Sequence, residues 1–365
     1  KLTKENIQSK RSIENINVYK GGKAKLNNNK RVIKLSSNEN PYGASPKAIE
    51  LLETKNINHD LHRYPEIDGS SLREAIAKNF SIDSNRIILG SGSDEVLLFA
   101  ALAFCQDGDE ILHANHGFEM YSIVSKVVGA VPKKIKEDVN FNLNIENLID
   151  QTNDATKVIY IASPNNPTGT YLSRDQLVKL MNSISKNIIV VIDGAYVEYV
   201  QKDDYDKGFS LTDEYENIIL TRTFSKTYGL AALRVGWCYT SQKIADIINK
   251  IKPPFNTTTI SQSLAIKALE DKEHIENSVK LNSEIKDWFE KELKLLNIKT
   301  RQTEGNFTLI ETSEEEAEKI SNHLMNDGII IRRLNSYNLP NFLRISIGTK
   351  EEMDLTVESL KKFNV

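Results

Sequence analysis

Along the middle of the chain, short runs of β-branched and other apolar residues alternate with longer stretches of helical periodicity. The runs are RIILG (86–90), DEILHA (109–114), KVIYIAS (157–163), IIVVID (188–193) and NIILTRT (217–223). Several are apolar without a polar alternate, the pattern of strands covered on both faces by helices. Strands alternating with helices predict an α/β protein with a mostly parallel central sheet flanked by helices. The pattern breaks at IKPPFNTTT (251–259), where a proline pair ends one unit. A strongly charged helical region from Ser261 to Leu295 comes next. Beyond it the chain alternates again, through NFTLIE, a helix from Glu314, GIIIRR, NFLRISIG and a final helix. Ser313 with Glu316, and Thr349 with Glu352, have the spacing of capping boxes for those two helices. This part reads as a smaller α+β domain. The predicted division is an N-terminal arm (1–42), a large domain (43–260), and an interdomain helix with a small C-terminal domain (261–365). The first forty residues are loop-like and are expected to pack on the small domain or on another subunit.

Composition narrows the class. The chain has 365 residues, 39% hydrophobic and 27% charged, as in an ordinary soluble globular protein. A net charge of −3 gives no overall pull toward nucleic acid or an anionic membrane. Cys105 and Cys238 both sit in apolar stretches and read as buried small hydrophobes, which points to a reducing cytoplasm. The apolar run Val96–Phe104 is too short to span a bilayer, and KLTKENIQSKRS lacks the apolar core of a signal peptide. The first residue is not Met, and the sequence does not tell whether the N-terminus is trimmed.

Four segments carry candidate chemistry. In TRTFSKTYGLAALRVGW (221–237), Lys226 and Arg234 stand almost alone among small and apolar residues. Charges kept in such surroundings need a partner or a task. Lys226 follows a strand, in the crevice where α/β proteins bind ligands, although a lysine snorkelling out of a loop would look the same. In VVIDGAYVEY (190–199), Asp193 ends an apolar strand, either to cap the next turn or to pair with a cation. In ASPNNPTGT (162–170), two prolines and Gly169 make a rigid turn that presents Asn165 and Asn166. In LGSGSDEVLLFAALAF (89–104), a strand passes through Gly90 and Gly92 into a helix that Ser93 caps, and such helix starts bind phosphate. Glu95 stands where a dinucleotide fingerprint needs its third glycine, and Asp94 and Glu95 are expected to face away from any phosphate.

Taken in order, these segments resemble the fold-type I pyridoxal 5'-phosphate (PLP) enzymes of the aspartate aminotransferase superfamily. Within it the likeness is greatest to the histidinol-phosphate aminotransferases. It runs from VIKLSSNENPYGASPKAI (32–49) and HRYPEIDGSSLREAIA (62–77), through SPNNPTG and SKTYGLAALRVG, to FLRISIGT (342–349). The resemblance implies that Lys226 is the Schiff-base lysine and proton shuttle. Asp193 would pair with the pyridine nitrogen, while Tyr196 and Asn166 would bond the ring's phenolic oxygen. Phe118 would stack on the ring. The cofactor phosphate would be held by Gly92, Ser93 and Asp94 through their backbone, by Ser225 and Arg234, and with help from Thr223. Tyr64 would reach that phosphate from the other subunit of a homodimer with shared sites. Arg344 would take a substrate carboxylate. Arg332, with Arg333 as the fallback, would take the phosphate of histidinol phosphate together with Tyr19 of the partner's N-terminal segment, and Asn40 joins the substrate residues. The implied reaction is transamination of histidinol phosphate with 2-oxoglutarate to imidazole acetol phosphate and glutamate.

Some positions depart from the family pattern. Gly194 replaces the glutamate of the common Asp-Glu-Ala-Tyr, and His116-Gly117 replaces the usual Pro-Thr before the stacking aromatic, with Tyr121 close by. The pairs His59/His62 and His113/His116 lack the glutamate of a zincin helix and read as loop histidines, so no metal is expected. Other readings within the fold are an aromatic amino acid aminotransferase and a decarboxylase of O-phosphothreonine. A non-catalytic ligand-sensing domain is a remote alternative.

Overall fold

The computed structural model describes residues 7–26, 31–54, 57 and 60–363. A short strand, β1 (Ile33–Lys34), precedes seven that form one sheet: β2 (Ile87–Gly90), β3 (Glu110–Ala114), β4 (Val131–Ile135), β5 (Thr156–Ala162), β6 (Ile189–Asp193), β7 (Ile218–Thr223) and β8 (Gly236–Thr240). Their order across the sheet is β2-β8-β7-β6-β5-β3-β4. β3 to β7 pair in parallel, while β8 is antiparallel to both β2 and β7, so β8 alone runs the other way.

The five predicted runs are β2, β3, β5, β6 and β7. Their continuous apolar character has a direct cause. Ile159, Ile161, Val190, Ile192, Ile218 and Leu220 pack into one apolar cluster, and Val158, Tyr160, Ile189, Val191 and Ile219 into a second. The alternation of strand side chains persists, but both faces are covered. β4 and β8 were not predicted. β4 is VPKKI, an edge strand with polar and half-exposed positions, where Pro132 is tolerated because an edge need not donate on both sides. β8 follows the arginine loop directly and is only five residues long.

The second sheet holds β9 (Lys299–Arg301), β10 (Phe307–Glu311), β12 (Arg332–Leu334) and β13 (Leu339–Ser346), all antiparallel in the order β12-β13-β10-β9. The GIIIRR run, read as one strand, is two. β11 (Ile329–Ile330) pairs in parallel with β1, and β12 turns away to pair with β13. The N-terminal arm is therefore tied to this smaller sheet by β1. The charged helical region also divides, into helices Thr259–Glu270 and Lys272–Leu295, with Asp271 capping the second. Thr349 and Glu352 exchange both capping-box bonds.

Candidate active site

Six strands of the central sheet share one direction, so the loops after β2, β5, β6 and β7 emerge at a common edge. There, facing β12 and β13, lies a cavity of ≈ 280 Å³. Its walls carry Ser93, Asp94, Phe118, Asn166, Asp193, Tyr196, Thr223, Ser225, Lys226 and Arg234, residues scattered over 142 positions of sequence (234 − 93 + 1).

One end is built from backbone and a cation. The N-cap of helix Ser93–Phe104 is Gly92, at φ 78°, and not Ser93 as the sequence suggested; no side chain caps this helix start, so its first N–H groups remain available to a ligand. A Cβ on Gly92 would stand 2.6 Å from Arg234 Nη2, and one on Gly236 would stand 2.5 Å from the Ser93 nitrogen. The hollow exists because both positions are glycine. Arg234 itself takes the left-handed conformation, φ 49°, rare for a side chain of this size. Its Nη1 donates to the Ala231 carbonyl at 3.0 Å and to Ser225 Oγ at 3.4 Å. A helix N-terminus, an arginine and hydroxyls make an anion site. Asp94 departs from expectation, since its carboxylate is on the cavity wall, 3.9 Å from Arg234. Burial raises its carboxyl above the usual range, against the pull of Arg234 and Lys226. Glu95 does turn away, toward Asn256 and the Ser91 N–H.

The middle holds the amine and the deep carboxylate. Lys226 donates from Nζ to the Ser37 carbonyl at 3.0 Å and stands 5.7 Å from the centre of the Tyr196 ring. Thr223 accepts the Ser225 N–H at 3.0 Å and so shapes the loop that carries the lysine. Asp193, at the end of β6, is buried; it accepts from Tyr121 Oη at 2.7 Å and from the Ala195 N–H at 3.2 Å. Desolvation is the main reason its carboxyl sits above the usual range. A cation placed against it would be welcomed. Tyr121 is committed to this task, with its ring stacked on Tyr160 at 5.0 Å and 8°. Phe118, meeting Tyr121 edge-on at 5.9 Å, lines the cavity together with it.

The far end is cationic again. Arg332 and Arg344 are register partners on β12 and β13, and both reach the cavity. Arg332 donates to the Lys20 carbonyl at 3.1 Å and lies 3.8 Å from Glu119. Arg333 points to the other face, 3.9 Å from Glu318, because successive strand residues alternate. Arg344 is buried, donates to the Ser36 carbonyl at 2.8 Å and to Asn166 Oδ1, and its Nε has no partner among the described residues. With its oxygen so engaged, Asn166 presents its amide hydrogens.

Two residues, Tyr19 and Asn40, sit differently from their sequence reading. Tyr19 lines the cavity of its own chain, edge-on to Phe118 at 6.1 Å, because the arm folds back over β12 instead of reaching away. Asn40 is off the cavity wall, its amide spent on the Thr227 carbonyl at 2.9 Å and Ser278 Oγ at 3.0 Å. Its neighbour Asn38, not picked out in the sequence, is the one that lines the cavity, donating to Tyr196 Oη at 2.9 Å. Tyr64 is 81% exposed and stacked on Phe255 at 4.6 Å, away from this cavity. His59 lies outside the described residues. His113 is buried and bonded to the Ala114 carbonyl, its pKa pushed down to about 4 by burial, and His116 pairs with Glu137.

The profile of the family described as "Aminotransferase class I and II" matches residues 30–360. Histidinol-phosphate aminotransferases from Dinoroseobacter shibae and Pelagibacter ubique are each 40% identical to this chain. The first alignment covers 96% of both chains, the second 93% of this chain and 94% of the relative. Among solved structures, the histidinol-phosphate aminotransferase from Sinorhizobium meliloti in complex with pyridoxal-5'-phosphate is similar with a TM-score of 0.84. It is 23% identical and covered to 91%, as is this chain. The aromatic aminotransferase from Pyrococcus horikoshii has a TM-score of 0.76 at 23% identity, over 91% of this chain and 95% of that one. At those identities the solved structures speak for the fold alone.

Proposed function

Because the chain belongs to the class I and II aminotransferases, we propose that it transfers the amino group of histidinol phosphate to 2-oxoglutarate through PLP. The products are imidazole acetol phosphate and glutamate, a step of histidine biosynthesis. The full-length relatives named for that activity support this reading. When bound, PLP supplies an electrophilic carbon for amines and a ring that accepts the electrons left at the substrate's α-carbon.

The chain's own residues do the rest. Lys226 holds the cofactor covalently and, once released, carries a proton on Nζ to and from the substrate carbon. Asp193 keeps the ring nitrogen protonated, since a carboxyl raised by burial returns to carboxylate beside a cation. Asn166 and Tyr196 donate to the phenolic oxygen, Phe118 covers the ring, and the Gly92–Asp94 backbone with Ser225 and Arg234 takes the phosphate, with Thr223 bracing the loop. The observation that carries the substrate choice is the second cationic end, where Arg332 and Arg344 face the cavity as register partners. An aromatic amino acid engages Arg344 through its carboxylate and brings no anion to Arg332, whereas the phosphate dianion of histidinol phosphate can use both.

Tyr64 completes the reading. It is exposed beside Leu61, Ile67 and Phe255, which are exposed too, and a second copy of the chain covering this face would form a homodimer with shared sites. Two free cysteines fit a cytoplasmic enzyme. The arm (1–42), a PLP-binding domain and a small domain are its working divisions; the expected boundary at 260/261 falls inside helix Thr259–Glu270, whose Leu264, Ala265 and Ala268 pack in the core of the large sheet, so the division belongs after that helix. The deciding experiment compares kcat/KM of the wild-type chain for histidinol phosphate and for phenylalanine. A preference for phenylalanine would make it an aromatic aminotransferase.

A further inference from the structure

We propose that Ser346 and Asn38 form a polarity relay that fixes which way the Tyr196 hydroxyl hydrogen points, and so make it a donor into the cavity. The inference rests on the reading that PLP occupies that cavity; the bonds themselves do not.

The logic is one of donors and acceptors. Ser346, on β13, accepts the Asn38 backbone N–H at 2.8 Å. A backbone N–H can only donate, so the serine hydroxyl must spend its own hydrogen elsewhere, and Asn38 Oδ1 lies 2.7 Å away. That bond assigns the oxygen of the amide. The atom of Asn38 facing Tyr196 at 2.9 Å is then the nitrogen, a donor. Tyr196 Oη must accept there. Its single hydrogen is left to be given away, and the ring lines the cavity. Asn306 holds the Asn38 carbonyl at 2.8 Å, so the asparagine is anchored at backbone and side chain alike. All these groups are buried, where a misdirected donor is expensive.

Ser346 and Asn38 are therefore positioning residues. They act on the cofactor through Tyr196, and they tie the proton polarity of a residue after β6 to a strand of the smaller sheet. Asn306, in the turn before β10, braces the same asparagine. Arg344, two residues before Ser346 on the same face of β13, holds Asn166 in its donor orientation. Both donors meant for the phenolic oxygen are thus set by one strand face.

The test is a double-mutant cycle on the full-length chain. Ser346→Ala and Asn38→Gly are each made in the wild-type and Tyr196→Phe backgrounds. Asn38 has φ 55°, a conformation glycine adopts without strain. Two quantities are read: the dissociation constant of PLP from the apoprotein, and the pH midpoint of the bound cofactor's absorption change. A donor to the phenolic oxygen stabilises its anionic form, so losing donor orientation raises that midpoint. The charged groups lining the cavity, Glu39, Asp94, Asp193, Lys226, Arg234, Arg332 and Arg344, are the same in every variant. With the tyrosine present, each change should weaken PLP about tenfold and raise the midpoint. With Tyr196→Phe, neither should add anything. Equal effects in both backgrounds, or a Ser346→Ala protein with an unmoved midpoint, would overturn the relay. A wild-type chain that takes up no PLP would instead remove the reading beneath it.

Discussion

Arg332→Gln should separate substrates by their phosphate. In the structure this guanidinium is nearly out of solvent, its side chain 12% exposed, and among the described residues it is met by one carboxylate, Glu119, at 3.8 Å. Its other contact is the Lys20 carbonyl. Truncating one member of a buried charge pair costs about 2–5 kcal/mol. The lower part of that range applies here, because Arg344 remains and the exposed Tyr19 marks this end as partly open to water. About 2–3 kcal/mol corresponds to a roughly 30- to 150-fold loss in kcat/KM for histidinol phosphate. Glu119, left without its cation, adds repulsion toward a dianion, so Arg332→Gln/Glu119→Gln should recover part of the loss. Phenylalanine carries no phosphate and should lose far less. Arg333→Gln is the control: one residue along the strand, its side chain lies on the opposite face beside Glu318. Steady-state kinetics on both substrates measures all of this. Equal losses on the two substrates, or an Arg333→Gln defect as large as that of Arg332→Gln, would refute the assignment of Arg332 to the phosphate.

Lys226→Ala should abolish turnover and covalent PLP attachment; intact-protein mass after borohydride reduction should show the added cofactor on wild type only. Asp193 is raised by burial, so the native apoprotein keeps its proton to higher pH than the unfolded chain, and stability falls as pH climbs from the ordinary carboxylate range through the raised value. Asp193→Asn should flatten that part of the apoprotein's Tm-against-pH curve and weaken PLP binding; a variant curve parallel to wild type would contradict the cause given. Gly194→Ala puts a Cβ 2.2 Å from Nη1 of Arg222, a guanidinium held by the Thr221 and Lys207 carbonyls. Overpacking of that kind costs about 1–3 kcal/mol, and the fall in Tm should shrink in an Arg222→Gln background; an unchanged fall would clear Arg222 of the clash. Mixing inactive Lys226→Ala chains with sufficiently impaired Tyr64→Phe chains should restore some activity if sites are shared, and full activity of a sedimenting monomer would exclude sharing.

The collision at Gly194 also accounts for the departure from the family's Asp-Glu-Ala-Tyr. A side chain at 194 would have to displace the guanidinium of Arg222, on the adjacent strand, from the carbonyls that hold it. Nothing local to DGAY carries that information.

Chemistry and period were legible in the chain itself. Five of the seven central strands could be read because strands buried on both faces must be apolar at every position, and Asp193 and Lys226 stood out because charges at the ends of such strands are costly without a use. What the sequence could not decide was set by contacts between distant segments. Asn38 and Asn40 are the same residue type two positions apart, yet one meets Tyr196, 158 residues away, and the other a backbone carbonyl 187 residues away. Arg332 and Arg333 are equal as letters; the pairing of β12 with β13 turns one into the cavity and the other out. Tyr19 faces its own chain's cavity because β1 docks on β11 and brings the arm home. Local pattern depends on each residue's neighbours in the chain, whereas donor direction, strand face and cavity wall depend on partners that only the folded chain brings within 3 Å.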